Sequence, residues 1–208
     1  MSLPQPTPRQ LTAVKSLIFV LGMVPLAHLV WGAWTDGLGA NPIEFITRDL
    51  GTWTLNFLLL TLCVTPLRVL TGLNWLTRLR RMLGLYAFFY VCLHLTSYLW
   101  LDQFFDWPAI AKDIVNRPFI TAGFTAFVLL VPLAATSSNA MVRRLGERRW
   151  TQLHRTGYAI AILGVLHYWW LAKQGISQPM LYAALLGLLL GCRALARYQR
   201  ALSQRFVK

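Results

Sequence analysis

Charge is what this chain has least of. Only 13% of its 208 residues are Asp, Glu, Lys or Arg, against about 25% in an ordinary soluble domain. Acids are the scarcer sign, seven against twenty bases. The three cysteines, Cys63, Cys92 and Cys192, each sit inside an apolar run, which argues against a disulfide framework or a zinc cluster. No C-x-x-C-H occurs, so covalent haem attachment of the c type is excluded. No G-x-G-x-x-G occurs either, so a dinucleotide-binding unit has no fingerprint here.

What is present is apolar, at 56% of the residues. A membrane-spanning helix needs about 20 mostly apolar residues. Six segments approach that length: 14–34, 51–70, 83–101, 119–136, 155–172 and 179–196. The apolar part of the first exceeds a signal-peptide core, so it reads as a retained helix. The expectation is an all-α integral membrane bundle of six transmembrane helices, forming one domain over residues 1–208.

The bases set its orientation. With the N-terminus inside, sixteen of the twenty fall on the inner side: Arg9, Lys15, Arg68, Arg78, Arg80, Arg81, Arg143, Arg144, Arg148, Arg149, Arg155, Arg193, Arg197, Arg200, Arg205 and Lys208. Arg48, Lys112, Arg117 and Lys173 fall outside. Six of the seven acids are outer, and only Glu147 is inner. This split follows the positive-inside rule and puts both termini in the cytoplasm. It also accounts for the net charge of +13 without a nucleic-acid partner. Asn41-Pro42 and Trp107-Pro108 read as turns in outer loops. Ser137-Ser138-Asn139 reads as the cap of a short basic helix lying at the inner interface as far as about Trp150.

Four histidines remain: His28, His94, His154 and His167. An ionisable residue inside a span is costly and usually functional, and neutral imidazole is a common metal ligand. His94 and His167 each come about 11 residues into an outward-running helix, roughly 16–17 Å from its inner end. Two imidazoles at matched depth can clamp one haem. The alternative is a pair of core histidines bonded to carbonyls. His154 lies 13 residues before His167, about 20 Å nearer the cytoplasm on a continuous helix. The equivalent position before His94 is Arg81, which cannot ligate iron. His154 is left as a haem ligand with a non-histidine partner, a flavin or quinone contact, or an interfacial polar residue. His28 has no telling companion and reads as a packing or hydrogen-bonding residue. Arginines at the inner helix ends suit haem propionates, flavin phosphate or anionic lipid heads.

Several runs of the sequence resemble one family. They are Arg80-Arg81-Met82-Leu83-Gly84-Leu85-Tyr86 leading to Leu93-His94-Leu95-Thr96-Ser97-Tyr98, then Thr65-Pro66-Leu67-Arg68, and Trp150-Thr151-Gln152-Leu153-His154-Arg155 with His167-Tyr168. The resemblance is to the haem-binding membrane subunit of the bacterial periplasmic methionine sulfoxide reductase system, the MsrQ family. The broader likeness is to ferric-reductase-like transmembrane domains.

The resemblance implies a six-helix, multi-pass cytochrome b of the bacterial inner membrane. It would pass electrons to a periplasmic molybdopterin methionine sulfoxide reductase for repair of oxidised proteins. It implies one or two b haems on His94, His154 and His167, and FMN, with Arg80 and Arg81 as cofactor contacts. Electrons would come from the quinone pool or a cytoplasmic flavin reductase. No catalytic residue is expected, because the chain would be an electron-transfer subunit of an oxidoreductase complex and not its catalytic subunit. The other readings weighed are a ferric-chelate or oxygen reductase, whose fused flavin and nicotinamide domain is missing from this sequence, and a transporter or membrane anchor without redox function.

Overall fold

The computed structural model describes residues 5–172, 175 and 177–206, and every regular element among them is helical. Lys173 and Lys208, assigned above to opposite sides, lie outside the described residues. The helices are α1 (Pro8–Trp34), α2 (Pro42–Thr71), α3 (Arg80–Ser97), α4 (Trp107–Asn116), α5 (Pro118–Ala135), α6 (Asn139–Leu145), α7 (Glu147–His154), α8 (Gly157–Leu171) and α9 (Ser177–Phe206). A 3-10 turn, Asn74–Leu79, leads into α3, and a π-helical turn, Tyr98–Asp102, leaves it.

Local chemistry sets the helix ends. Thr7 and Gln10 form a reciprocal capping box at the start of α1, with Pro8 as the first helical residue. Asn41 caps α2 and Asp106 caps α4, each just ahead of a proline in the first turn. Asn41-Pro42 and Trp107-Pro108 are therefore helix starts and not merely turns, and α4 occupies a stretch expected to be loop. Ser138 caps α6 as the sequence indicated. That helix does not reach Trp150, however. Gly146, at φ 76°, breaks it, and α7 begins afresh at Glu147.

Among the described residues, five helices are long and apolar enough to cross a membrane: Pro8–Trp34, Pro42–Thr71, Asn74–Asp102, Pro118–Ala135 and Ser177–Ala196. The expected fifth span, 155–172, forms only the 15-residue α8. At 1.5 Å per residue that is about 22 Å, short of a hydrocarbon core of roughly 30 Å. The turn at Arg155 and Thr156 separates α8 from α7, so the preceding helix does not lengthen it.

Side-chain pairings fix the helix directions. His94 meets Thr47 while Gly84 lies near Thr61, so α3 runs antiparallel to α2. Tyr86 bonds Phe19 and Tyr90 bonds Gly22, so α1 runs parallel to α3. His167 meets Phe119 and Gly157 lies near Leu133, so α8 is antiparallel to α5. Tyr182 bonds Asn56 and Arg193 bonds Leu62, so α9 is parallel to α2.

The core has two parts, both built on α2. One joins α1, α2 and α3 around Phe57, whose ring stacks on Tyr86 at 5.0 Å and on Tyr90 at 5.3 Å, and it reaches α5 through Ala126, Leu130 and Leu133 and α8 through Ile160. The other joins α2, α8 and α9 through Leu55, Leu59, Leu62, Ala161, Val165 and Leu186. Tyr90 also enters the backbone of α1 beside Pro25. Its hydroxyl donates to the Gly22 carbonyl at 2.7 Å and accepts from the Leu26 N–H at 3.3 Å.

Arg193 is not a loop base, as its place in the charge count had assumed. It is buried, with its guanidinium 5.2 Å over the Tyr158 ring, and it donates to the Leu62 carbonyl at 2.5 Å. The residue four positions after Leu62 is Pro66, which has no N–H to give that carbonyl.

Candidate functional site

Two helix pairs, α2–α3 and α5–α8, each present one histidine to the other. His94 comes from the last turn of α3 and His167 from the last turns of α8. Their ring centres are 6.1 Å apart with planes crossed at 78°. His94 Nδ1 meets the Thr47 carbonyl at 2.8 Å, and His167 Nδ1 meets the Phe119 carbonyl at 2.7 Å. A carbonyl only accepts, so each Nδ1 must carry the proton and each Nε2 keeps its lone pair. Imidazoles that bind metals are usually oriented in this way, by donating their other N–H to a carbonyl or carboxylate.

The spacing also suits a shared metal. Imidazole–metal bonds run about 2.0–2.1 Å, and a ring centre lies about 1.1 Å behind its nitrogen. Two imidazoles opposed across one ion would thus have centres about 6.2 Å apart. Among the described residues no three His, Cys, Asp or Glu side chains gather at one point. A closed protein-only zinc site, which takes four ligands, is not formed there.

The alternative weighed from sequence, core histidines bonded to carbonyls, is met in its geometry. Both rings do bond carbonyls, but each through one nitrogen only. The carbonyl bond and the metal-ready lone pair are parts of one arrangement.

His154 is not brought to this pair. It ends α7, ahead of the turn into α8, so the rise and rotation of one continuous helix do not describe its relation to His167. Its Nδ1 bonds the Trp150 carbonyl at 3.1 Å, and the Trp150 ring stacks on it at 3.9 Å. Trp150 is itself held by its indole N–H, which donates to the Thr136 carbonyl at 2.8 Å. His154 Nε2 is buried with no hydrogen-bond partner among the described residues. Burial holds this imidazole below its ordinary pKa range, and the nearby Arg80 guanidinium pushes the same way. The Trp150 and Leu133 carbonyls beside the ring act in the opposite sense, but burial prevails and favours the neutral form of His154.

Arg80 and Arg81 are both exposed at the start of α3. Arg81 is engaged with the Asn139 side chain, which ties α3 to the first turn of α6. Arg80 is the nearer of the two to His154 in electrostatic effect. His28 is exposed on α1 and makes no hydrogen bond among the described residues, so it is neither the packing nor the hydrogen-bonding residue expected.

Sequence reasoning missed the acceptors, Thr47 and Phe119, because a backbone carbonyl carries no residue signature. It also missed Trp150 as the platform under His154, having read that residue only as part of an interfacial helix.

Comparison with known proteins places the chain in a family. Residues 50–165 match the ferric reductase like transmembrane component family, an interval that contains His94 and His154 and stops just short of His167. A protein-methionine-sulfoxide reductase heme-binding subunit MsrQ from Azospira oryzae is 61% identical over 93% of this chain and 83% of its own length. Subunits of the same name from Herminiimonas arsenicoxydans and Rhodospirillum rubrum are each 55% identical, covering 94% and 90% of this chain and 90% of their own lengths. With such identity sustained over nearly the whole chain, it belongs to the MsrQ heme-binding subunit family, among the ferric reductase like transmembrane proteins.

Proposed function

We propose that the chain is a b-type cytochrome subunit that carries electrons outward across the bacterial inner membrane to a periplasmic molybdopterin methionine sulfoxide reductase, which repairs oxidised proteins. The observation that carries this reading is the facing pair His94 and His167, each with Nδ1 committed to a carbonyl and Nε2 left for iron. Two imidazoles without a third or fourth protein ligand suit a metal whose remaining bonds come from a macrocycle. Haem held there supplies one-electron exchange without leaving the protein. The chain's own part is to fix both rings, exclude water with the apolar faces of α2, α3, α5 and α8, and keep the ligands neutral.

His154 is the ligand proposed for a second haem. Its support is the buried, unpartnered Nε2 and the lowered pKa. Arg80 and Arg81 are the proposed contacts for propionates or for FMN, and the flavin part of the reading rests on these two exposed cations alone. The donor is the quinone pool or a cytoplasmic flavin reductase.

We take α8 as a span as well, the fifth of six in chain order, with both termini cytoplasmic. Its support is its packing in the bundle antiparallel to α5 and its apolar sequence ending in Trp169 and Trp170. A span this short is accommodated by local thinning of the bilayer. The sidedness rests on the arginines. Arg48 and Arg117, at the proposed outer face, pair with Glu44 and Asp113. The inner group Arg78, Arg80, Arg143, Arg144, Arg148 and Arg149 has no carboxylate within ion-pair distance among the described residues.

The test is the protein reconstituted in vesicles of known orientation, with reductant confined to one side. Reduction of a membrane-impermeant acceptor on the face opposite the arginines, together with a Soret band that sharpens on reduction, is expected. Reduction only on the arginine-rich face, or no Soret band, overturns the proposal.

A further inference from the structure

We propose that Gly51 and Gly123 are the ligand-positioning residues of this site, each opening a main-chain carbonyl to the imidazole and so fixing the two ring planes nearly perpendicular. The inference rests on the haem reading above and adds residues to it.

The geometry repeats on the two helix pairs. His94 bonds the Thr47 carbonyl and His167 the Phe119 carbonyl. Gly51 stands four residues after Thr47, and Gly123 four after Phe119. In an α-helix the N–H of residue i meets the carbonyl of i−4. The Cβ of residue i tilts back toward the N-terminus, over that same preceding turn. The side chain at i is therefore the one that would cover the carbonyl of i−4 from the flank. Glycine leaves that flank bare.

The rings occupy the space so released. A Cβ built on Gly51 would lie 3.1 Å from His94 Cε1 and 3.2 Å from its Nδ1. A Cβ built on Gly123 would lie 2.8 Å from His167 Nδ1 and 2.9 Å from its Cε1. The first contact is tight enough that the ring must give by a few tenths of an ångström. The second cannot exist without moving the ring. Gly51 and Gly123 lie on α2 and α5, opposite the ligand-bearing helices, and Gly84 and Gly164 on those helices themselves are not used in this way. A Cβ at Gly84 on α3 would come no nearer than 3.9 Å to a neighbour outside its own helix, and one at Gly164 on α8 no nearer than 3.5 Å.

Each ring is thereby held at two points, the carbonyl that takes its Nδ1–H and the glycine that bounds its edge. Because the carbonyls belong to different helices, the planes are set independently, and they cross at 78°. Opposed imidazoles in perpendicular planes give ferric low-spin haem a strongly anisotropic EPR spectrum, whereas parallel planes give a rhombic one.

The experiment compares the full-length, haem-loaded protein with Gly51→Ala, Gly123→Ala, Gly84→Ala and Gly164→Ala. It reads haem content, the ferric EPR spectrum, the midpoint potential and thermal stability. Alanine is the better helix former at all four positions, so a purely structural role predicts no spectral change. The expected result is a strongly anisotropic low-spin signal in the parent protein. That signal shifts in Gly51→Ala, is lost or replaced by high-spin haem in Gly123→Ala, and is unchanged in both control variants. Unchanged spectra and potentials in Gly51→Ala and Gly123→Ala overturn the positioning role and leave the haem reading standing. A rhombic parent signal overturns the plane assignment in the same way. A parent protein with haem but no bis-imidazole signal overturns the haem reading and this inference together. If Gly123→Ala does not accumulate, Gly51→Ala decides.

Discussion

His94 and His167 stand near the ends of parallel helices with their ring centres 6.1 Å apart, each bonded to a carbonyl on the helix antiparallel to its own. The pair joins two hairpin-like units, and neither ring has a substitute within its own unit. His94→Ala and His167→Ala should each abolish the same low-spin haem signal completely. Reduced-minus-oxidised spectra of the purified variants check this, and full retention of the signal in either one contradicts a shared site.

His154 should behave differently. His154→Ala is expected to alter haem content or spectral shape while the His94–His167 signal persists. If this single change removes all haem, the two locations are not independent.

The same residue predicts a pH dependence. Its folded pKa lies below the ordinary histidine value of about 6.5. Protonation is thus harder in the folded protein than in the unfolded chain, and stability from the neutral ring is fully present above about pH 6.5 and lost as pH falls through the lowered folded value. Signals or stability that depend on His154 should be flat from pH 7 to 8 and decline on acidification. A decline on raising the pH across that interval contradicts the assignment.

Tyr90→Phe tests how α1 is attached. The hydroxyl serves both the Gly22 carbonyl and the Leu26 N–H next to Pro25. Its loss should cost roughly 0.5–1.5 kcal/mol, the net value of a typical internal hydrogen bond. Faster amide exchange at Leu26 should accompany a lower Tm. No change in either would mean that the hydroxyl does not secure α1.

Arg193 and Pro66 make a testable pair. Arg193→Leu should destabilise the bundle by leaving the Leu62 carbonyl unmet. In a Pro66→Ala background the helix regains the N–H that carbonyl needs, so the same change should cost less. The expected coupling is about 0.6 kcal/mol, the average for hydrogen bonds between membrane helices, and no more than about 1.7 kcal/mol. Strict additivity in the double-mutant cycle would show that Arg193 and Pro66 act separately.

Much of the fold was legible because membrane spans are written in long apolar runs. The stretches 14–34, 83–101 and 119–136 lie within the elements α1, α3 with its π-helical turn, and α5 to within a residue or two. Helix ends were less legible. Asn41-Pro42 and Asp106-Trp107-Pro108 carry the same residue types as turns, and only the cap geometry separates a turn from a first helical turn. The site was half legible. His94 and His167 stood out because histidine is conspicuous among leucines. The equal counts rested on expected starts near Leu83 and Thr156, whereas the helices begin at Arg80 and Gly157, so the counts differ although the rings do meet. Their acceptors did not stand out. Thr47 and Phe119 act through backbone, and Gly51 and Gly123 act by having no side chain at all. Arg193 was misread because a cation near a chain end looks like a topology signal, whereas its partner lies 131 residues earlier on α2.

That long reach bears on the order in which the molecule can be finished. Ribosomal synthesis delivers α2 well before α9. Until α9 arrives, the Leu62 carbonyl faces hydrocarbon with no donor from its own helix, since Pro66 cannot supply one. The early helices can insert and pair before that moment, but the second of them stays incomplete. Arrival of Arg193 supplies the missing donor, so a gap opened on α2 by Pro66 is closed from α9.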